Sequence, residues 1–392
     1  MYNRSDSAIF AEKRAMNPFY VTGIIPLAYF CDRETETDWL VRTVTNQANV
    51  LLTSPRRMGK TQLIRHFYER PEIKGHYHTF YVDIYPTTSL HEFVLFLSKE
   101  IYSVLVPKGK AALNRFLSVL RSLTGSFTYD PVSGVPSFDV KLGDIHTPEL
   151  TLGEIFDYLE KADLPCIFAI DEFQQIDRYP EKNVDALLRS HVQTMNNCRF
   201  IFAGSNRHIL ENMFHSAAKP FYNSTEQLYL DRIAREKYVA FICDKFREAG
   251  REILSGAAQL AYDIFEGHTY YVHNLLHHVF DTVAPEKTVD ENDILFVLDA
   301  LLEEKAHAFA DQLSQLNYGQ KETLVAIAKA GKATGVTSVA FIKKNALKSP
   351  SSVQYAITTL LDSQILTYEQ EGRGKTYSLE DRFLEMWVRR VY

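Results

Sequence analysis

Between an apolar run that ends near Thr53 and a helical pattern over Gln62 to Tyr68, the sequence reads Ser54-Pro55-Arg56-Arg57-Met58-Gly59-Lys60-Thr61. A glycine, a lysine and a hydroxyl at that spacing fit G-x-x-x-x-G-K-[ST], with Ser54 where the first glycine would stand. The chemistry of such a segment is anion binding. Backbone N–H groups turn inward around phosphate oxygens, and the helix that follows presents its positive end to them. Lys60 is expected to reach the β and γ phosphates and Thr61 to offer its hydroxyl to Mg²⁺. Ser54, Pro55, Arg56, Arg57, Met58, Gly59, Lys60, Thr61 and Gln62 are therefore the expected nucleotide-binding residues, with a nucleoside triphosphate and Mg²⁺ as the ligands. A side chain at Ser54 has to enter a turn that glycine takes more easily.

About 110 residues on, Cys166-Ile167-Phe168-Ala169-Ile170 is an apolar run that ends in Asp171 and Glu172. Two carboxylates at the end of a buried strand suit two tasks. Asp171 would hold the Mg²⁺ shell, and Glu172 would orient and deprotonate an attacking water. A third run, Arg199 to Ala203, ends in Gly204-Ser205-Asn206-Arg207. Its polar tip makes Asn206, or Ser205 beside it, the candidate sensor of the γ-phosphate, and Asn206 joins Glu172 and Lys60 as a catalytic candidate. Arg207 could contact phosphate or another subunit, although an arginine in a loop is more often solvated or salt-bridged. Arg56, Arg57 and Arg189 are equally open candidates for an arginine finger.

These groups need a scaffold that brings distant strand ends together. Short β-branched and aromatic runs at Asn49 to Ser54, Tyr77 to Tyr85, Cys166 to Glu172, Arg199 to Ser205 and Gln227 to Asp231 alternate with helical patterns. That rhythm predicts an α/β domain with a mostly parallel sheet over residues 1–231. Residues 108–148 break it. A helix candidate leads into two alternating runs, Ser126 to Asp130 and Val135 to Leu142, bridged by Pro131-Val132-Ser133-Gly134, which reads as an inserted β-hairpin. After Asp231 apolar spacing turns helical, predicting a helical lid over 232–317. Over 318–392 three short helices precede strand-like runs at Ile365 to Glu369 and Thr376 to Leu379, the order of a winged helix-turn-helix.

The whole chain of 392 residues is 46% hydrophobic and 23% charged, which excludes disordered, collagen-like and fibrous classes. Its 43 Lys and Arg against 49 Asp and Glu leave a net charge of −6, so no case arises for a protein that coats nucleic acid along its whole length. Residues 318–392 differ, with eleven Lys and Arg against seven Asp and Glu. A helix from Pro350 to about Asp362, capped by Ser349, would be the recognition helix, with Lys343, Lys344, Lys348, Arg373 and Lys375 available to phosphates. DNA is thus a possible partner. The alternative is packing of this segment against the nucleotide domain or another protein, since the helix has no arginine for guanine readout. Cys31, Cys166, Cys198 and Cys243 lie far apart without a C-x-x-C pair, signalling neither disulfide framework nor zinc knuckle. His273 and His277 share one helix face at i, i+4, but no Glu or Cys completes a metal site and aromatic packing explains them more simply. The first residues lack the apolar core of a signal peptide, and no stretch approaches eighteen uncharged apolar residues, so a cytoplasmic protein without membrane contact is expected.

Phe30, Asp32, Arg33 and Glu34, Pro55 to Thr61, Ile170-Asp171-Glu172-Phe173-Gln174 and Phe202-Ala203-Gly204-Ser205-Asn206 together resemble the prokaryotic AAA-like ATPases grouped as the archaeal ATPase family, relatives of the STAND signal-transduction ATPases. The resemblance covers most of the chain. It implies an additional-strand P-loop NTPase core, a helical lid and a C-terminal winged helix. It also implies that Phe30 to Glu34 lies near the adenine, and it puts Gly267-His268-Thr269 where the family has Gly-x-Pro. The expected activity is Mg-dependent ATP binding and hydrolysis driving a switch between core, lid and winged helix, with a protein partner or a second copy able to supply an arginine. The alternative is an ATP-bound regulator that binds DNA or protein with little turnover.

Overall fold

A computed structural model describes residues 16–105, 116, 119, 122, 127–129, 136–138, 145–371 and 374–392. The described residues form two compact units, one within residues 24–233 and one of residues 16–23 with those within 234–392.

In the unit of residues 24–233 the elements run α1 (Glu34–Thr45), β1 (Val50–Thr53), α2 (Lys60–Tyr68), β2 (His78–Asp83), α3 (Leu90–Leu105), β3 (Phe127–Tyr129), β4 (Pro136–Phe138), α4 (Pro148–Glu160), β5 (Cys166–Asp171), α5 (Val184–Thr194), β6 (Cys198–Gly204), α6 (Arg207–His215) and β7 (Glu226–Tyr229). Five strands pair in parallel in the order β2-β5-β6-β1-β7. The five expected strands are all present. Strand β6, which ends just before Ser205, lies between the loop strand β1 and the carboxylate strand β5, the additional-strand arrangement that was anticipated.

Every residue of β1 and β5 is buried, because helices cover both faces of the sheet. On one face Leu51, Phe80, Phe168, Ile170, Phe200 and Phe202 pack against Phe93, Ile101, Ile155 and Leu188 of the covering helices. On the other, Val50, Leu52, Ala169, Ile201 and Ala203 meet Leu40 and Val44 of α1 and Leu63, Ile64 and Phe67 of α2. Phenylalanines on β2, β5 and β6 form a ladder across the first face, with Phe80–Phe168 ring centroids 5.3 Å apart and Phe168–Phe200 6.5 Å. This packing holds the carboxyl ends of β1, β5 and β6 at one edge, where ligands bind open α/β sheets. Strands β3 and β4 pair antiparallel as a separate hairpin, and its expected turn at residues 131–134 lies outside the described residues.

In the second unit, helices Arg235–Glu248, Ser255–Ile264, Thr269–Thr282 and Glu291–Ser314 precede Tyr318–Ala330, Val339–Lys344 and Pro350–Asp362. Asp290 and Asn317 each close a capping box, and Ser349 caps the helix Pro350–Asp362 with Pro350 in its first turn, as anticipated. Strands Leu366–Glu371 and Gly374–Leu379 pair antiparallel, and the short strand Ala333–Thr334 joins the latter. Both long strands run further into the expected turn at 370–375 than the sequence indicates. A last helix, Arg382–Val391, was not anticipated. It buries Phe383, Leu384, Trp387 and Val388, with the Phe383 ring 5.2 Å from Phe265 and 5.4 Å from Tyr271. The helical and winged segments therefore share a core, and Tyr271 donates a hydrogen bond to the Glu380 carbonyl (2.9 Å).

Residues 16–23, expected with the nucleotide domain, pack in this second unit. Phe19 is fully buried against Phe246 (5.4 Å) and Phe280 (6.4 Å), and the Asn17 amide donates to the His277 carbonyl (2.9 Å). His273 lies among Phe19, Tyr238 and Phe241, one ring nitrogen held by the Tyr20 carbonyl. Burial pushes its imidazole down from 6.5 to about 4, so the fold holds it neutral. Its contribution to stability is complete above pH 6.5, where the unfolded ring is also neutral, and is lost as the pH falls from 6.5 towards 4. That shift corresponds to about 3 kcal/mol. Chemical denaturation of the chain at pH 7.5 and pH 5 should show this loss, and His273→Gln should flatten it. An unchanged slope in the variant would assign the acid sensitivity elsewhere.

Among the described residues no helix is long and apolar enough to cross a membrane.

Candidate functional site

Strand β1 ends at Thr53, and Ser54 continues along β6 through its N–H bond to the Gly204 carbonyl (3.3 Å). The left-handed backbone in this loop falls at Arg57 (φ 64°) and Gly59 (φ 89°), not at Ser54. A serine at the loop entrance is thus accommodated without strain, and its hydroxyl, donating to the Pro55 carbonyl (3.0 Å), closes the turn. At Gly59 a Cβ would meet nothing within 4 Å, so the glycine serves backbone conformation rather than space. It is the N-cap of α2, whose first residue is Lys60. Left-handed residues just before a helix start turn backbone N–H groups inward, and with the helix's positive end they suit an anion.

The Lys60 ammonium is buried in contact with Asp171 Oδ1 and lies 3.9 Å from Glu172 Oε1. Burial pushes it down to about 8, against the pull of Glu172 and of Asp83. Asp83 ends β2 directly opposite Asp171 in the parallel register. Asp171, 3% exposed, divides its oxygens between two sides. Oδ1 faces Lys60 and accepts the Glu172 N–H (2.8 Å), while Oδ2 accepts from the Thr61 hydroxyl (3.2 Å) and from Tyr81 Oη (2.6 Å). A hydroxyl and a carboxylate oxygen 3.2 Å apart fit a hard divalent cation, since neighbouring ligands of octahedral Mg²⁺ are roughly 2.9 Å apart.

Glu172 takes a left-handed backbone (φ 55°), which turns its carboxylate away from the strand direction. Its Oε2 accepts from the Ser205 hydroxyl (2.8 Å) and from the Gln174 amide. Arg56 Nε donates to Ser205 Oγ (3.3 Å), and its guanidinium lies 5.3 Å from the centre of the Tyr85 ring. The structure thus brings Arg56, Lys60, Thr61, Asp171, Glu172 and Ser205 together. Asn206 does not share these contacts. Its Oδ1 caps α6 by accepting the Ile209 N–H (3.2 Å), while Arg207 pairs with Glu211 (2.6 Å). Gln62 points towards the preceding segment, accepting the Ile25 N–H (3.1 Å), and Phe30 stacks on His66 at 3.9 Å between ring centres. Tyr81 and Asp83 were missed by the sequence reading. Both lie on an expected strand, and only its register with β5 places them at the carboxylates.

A phosphate loop, a strand-end carboxylate pair and an intervening polar-tipped strand on one sheet edge define a P-loop nucleoside triphosphatase. The chain belongs to the family described as the ATPase domain predominantly from Archaea, whose model matches residues 30–275, and residues 307–390 match a probable winged helix domain. Its fold is similar to that of a Walker-type ATPase of Pyrococcus abyssi (17% identity, TM-score 0.63, covering 95% of this chain and 99% of that one). It is also similar to the ORC2 protein of Aeropyrum pernix, solved as ADPNP–ADP complexes (13% identity, TM-score 0.55, covering 96% and 98%). The ORC1 protein of the same organism, solved with DNA, is a third neighbour (14% identity, TM-score 0.50, covering 92% and 93%). No curated protein sequence matches the chain.

Proposed function

We propose that the chain binds ATP with Mg²⁺ at this site and hydrolyses it, using the cycle to switch its own conformation. The observation that carries this reading is the convergence of Lys60, Thr61, Asp171 and Glu172 at the start of α2. The amides of Arg56 to Thr61 line the phosphates, whereas Pro55, with no N–H, contributes only shape. Lys60 leaves Asp171 for the β and γ phosphates. Thr61 and Asp171 would hold Mg²⁺, which would supply neutralisation of phosphate charge when bound. Glu172 accepts a proton from the attacking water, and Ser205, already bonded to it, keeps the carboxylate at the γ-phosphate end. Asn206 adds a second polar tip there once α6 adjusts. A lone chain is slow, because an arginine from a second copy or a protein partner can dominate the rate.

The test is phosphate release from ATP by the full chain over a protein concentration series, with Mg²⁺ or with EDTA, alongside direct nucleotide binding. Magnesium-dependent release supports the reading, and a specific rate rising with concentration supports a residue supplied in trans. Binding without release under all conditions would replace it with the regulator reading.

A second reading adds DNA as a ligand of the winged segment. The helix Pro350–Asp362 buries Val353, Ala356, Ile357 and Leu360 and turns Gln354, Tyr355 and Thr358 outward, with Tyr355 69% exposed. Lys343, Lys344 and Lys348 are exposed beside it in sequence. Reversing Lys343 and Lys344 to Glu should weaken duplex binding about tenfold or more at low salt and reduce its salt dependence, as read by fluorescence anisotropy. Equal binding by parent and variant would remove DNA from this face.

A further inference from the structure

On β2, Tyr81 stands in register with Ala169 of β5, two residues before Asp171. The small Ala169 side chain leaves room on that sheet face for a phenol ring to reach along it towards the strand end. The ring packs beside the core that contains Ala169, Leu63 and Ile64. Arg65, one helical turn beyond Thr61 on α2, lies over the ring at 4.6 Å from its centre. Held between strand and helix, the hydroxyl meets Asp171 Oδ2 at 2.6 Å and Thr61 Oγ1 at 3.2 Å. Three oxygens, from β2, α2 and β5, thus form one small triangle at the place where the site would hold its cation.

We infer that Tyr81 is a positioning residue for the metal: its hydroxyl fixes the Asp171 carboxylate so that Oδ2 faces Thr61, and this sets the Mg²⁺ concentration the site requires. The terminal torsion of an aspartate is soft, and a carboxylate that exchanges its two oxygens is a poorer ligand than one held in place. Lys60 and the Glu172 N–H hold Oδ1 before nucleotide arrives. Lys60 is the group expected to move to phosphate, so the Oδ1 side loosens at the moment the metal must bind. Tyr81 and Thr61 then hold the other oxygen. Tyr81 touches neither phosphate nor water in this scheme and acts through Asp171 alone.

This inference rests on the reading of the site as a magnesium–nucleotide site. Its test is binding of a fluorescent ATP analogue to the full-length parent and Tyr81→Phe chains, first in EDTA and then as Mg²⁺ is added. Phenylalanine keeps the ring under Arg65 and removes only the hydroxyl. The Mg²⁺ concentration for half-maximal enhancement should rise about tenfold in the variant, with affinity in EDTA unchanged and a thermal midpoint lowered by only a few degrees, the share of one hydrogen bond to Asp171. The same magnesium midpoint in both chains overturns the inference and leaves the site reading intact. Equal loss of affinity with and without Mg²⁺, or a much lower thermal midpoint, overturns it in favour of a nucleotide contact or a structural role. A parent chain whose binding ignores Mg²⁺ overturns the site reading, and the inference with it.

Discussion

The Glu172→Gln chain is expected to bind ATP about as tightly as the parent and to release phosphate some 10²–10⁴-fold more slowly, the usual worth of a general base. The amide keeps the volume of the carboxylate and can still accept from the Ser205 hydroxyl through its oxygen, so the restraint seen at 2.8 Å survives. What disappears is the basic oxygen. Lys60, 3.9 Å away, also loses one of the carboxylates that favour its charge, but Asp171 and Asp83 remain beside it. Phosphate affinity should therefore change little. Single-turnover release with direct binding on the same preparation separates the two effects. Hydrolysis at the parent rate would remove Glu172 from the mechanism, and equal loss of binding and turnover would make it a structural residue.

Lys60→Ala should be the more damaging change, and in two ways. Nucleotide affinity should fall at least about a hundredfold, since the lysine is buried against the carboxylates at the start of α2 and its hydrogen bonds to phosphate are charge-assisted. The nucleotide-free chain should also lose stability. Asp171 is almost wholly buried, and without the ammonium its charge is left with two hydroxyls and one N–H. Removing one partner of a buried pair costs about 3–5 kcal/mol in the worst cases, and these remaining donors place the expected loss towards the lower end. The double variant Lys60→Ala with Asp171→Asn should regain much of that stability while remaining unable to bind nucleotide. If the double variant is no more stable than the single one, the buried charge is not the cause.

Legibility in the sequence followed the physics of each element. The inner strands β1, β5 and β6, buried on almost every residue, appear as continuous apolar runs, while the edge strands β2 and β7, partly buried or exposed, are marked by their aromatic and apolar residues. The two-residue strand Ala333–Thr334 is too short to carry a period. The final helix was readable in principle. Phe383, Leu384, Trp387 and Val388 repeat at helical spacing behind Asp381, which caps it by accepting two N–H groups. The loop and the carboxylate pair were legible because their chemistry is written in consecutive residues. Tyr81 was not, because its role comes from pairing between strands more than eighty residues apart. Asn206 and Ser205 were indistinguishable as neighbouring polar tips. The turn into α6 separates them, assigning one to a helix cap and the other to Glu172. Thr269, where the resemblance implied proline, is the first residue of its helix, the position at which proline and other residues are interchangeable in geometry.

The strand order has a further consequence, for how the molecule comes into being. Val50 of β1 pairs with Ile201 and with Glu226, so the strand that launches the phosphate loop waits for about 150 residues of chain before it has any neighbour. During synthesis β2 and β5 can join first, while β1 remains an apolar strand with both edges open. Pairings this distant in sequence close late and slowly, and they leave an interval in which the nascent chain is prone to associate with others. Competence for nucleotide therefore arrives with one of the last pairing events of the sheet, and a ligand that binds the finished loop would act on the newborn chain as a latch.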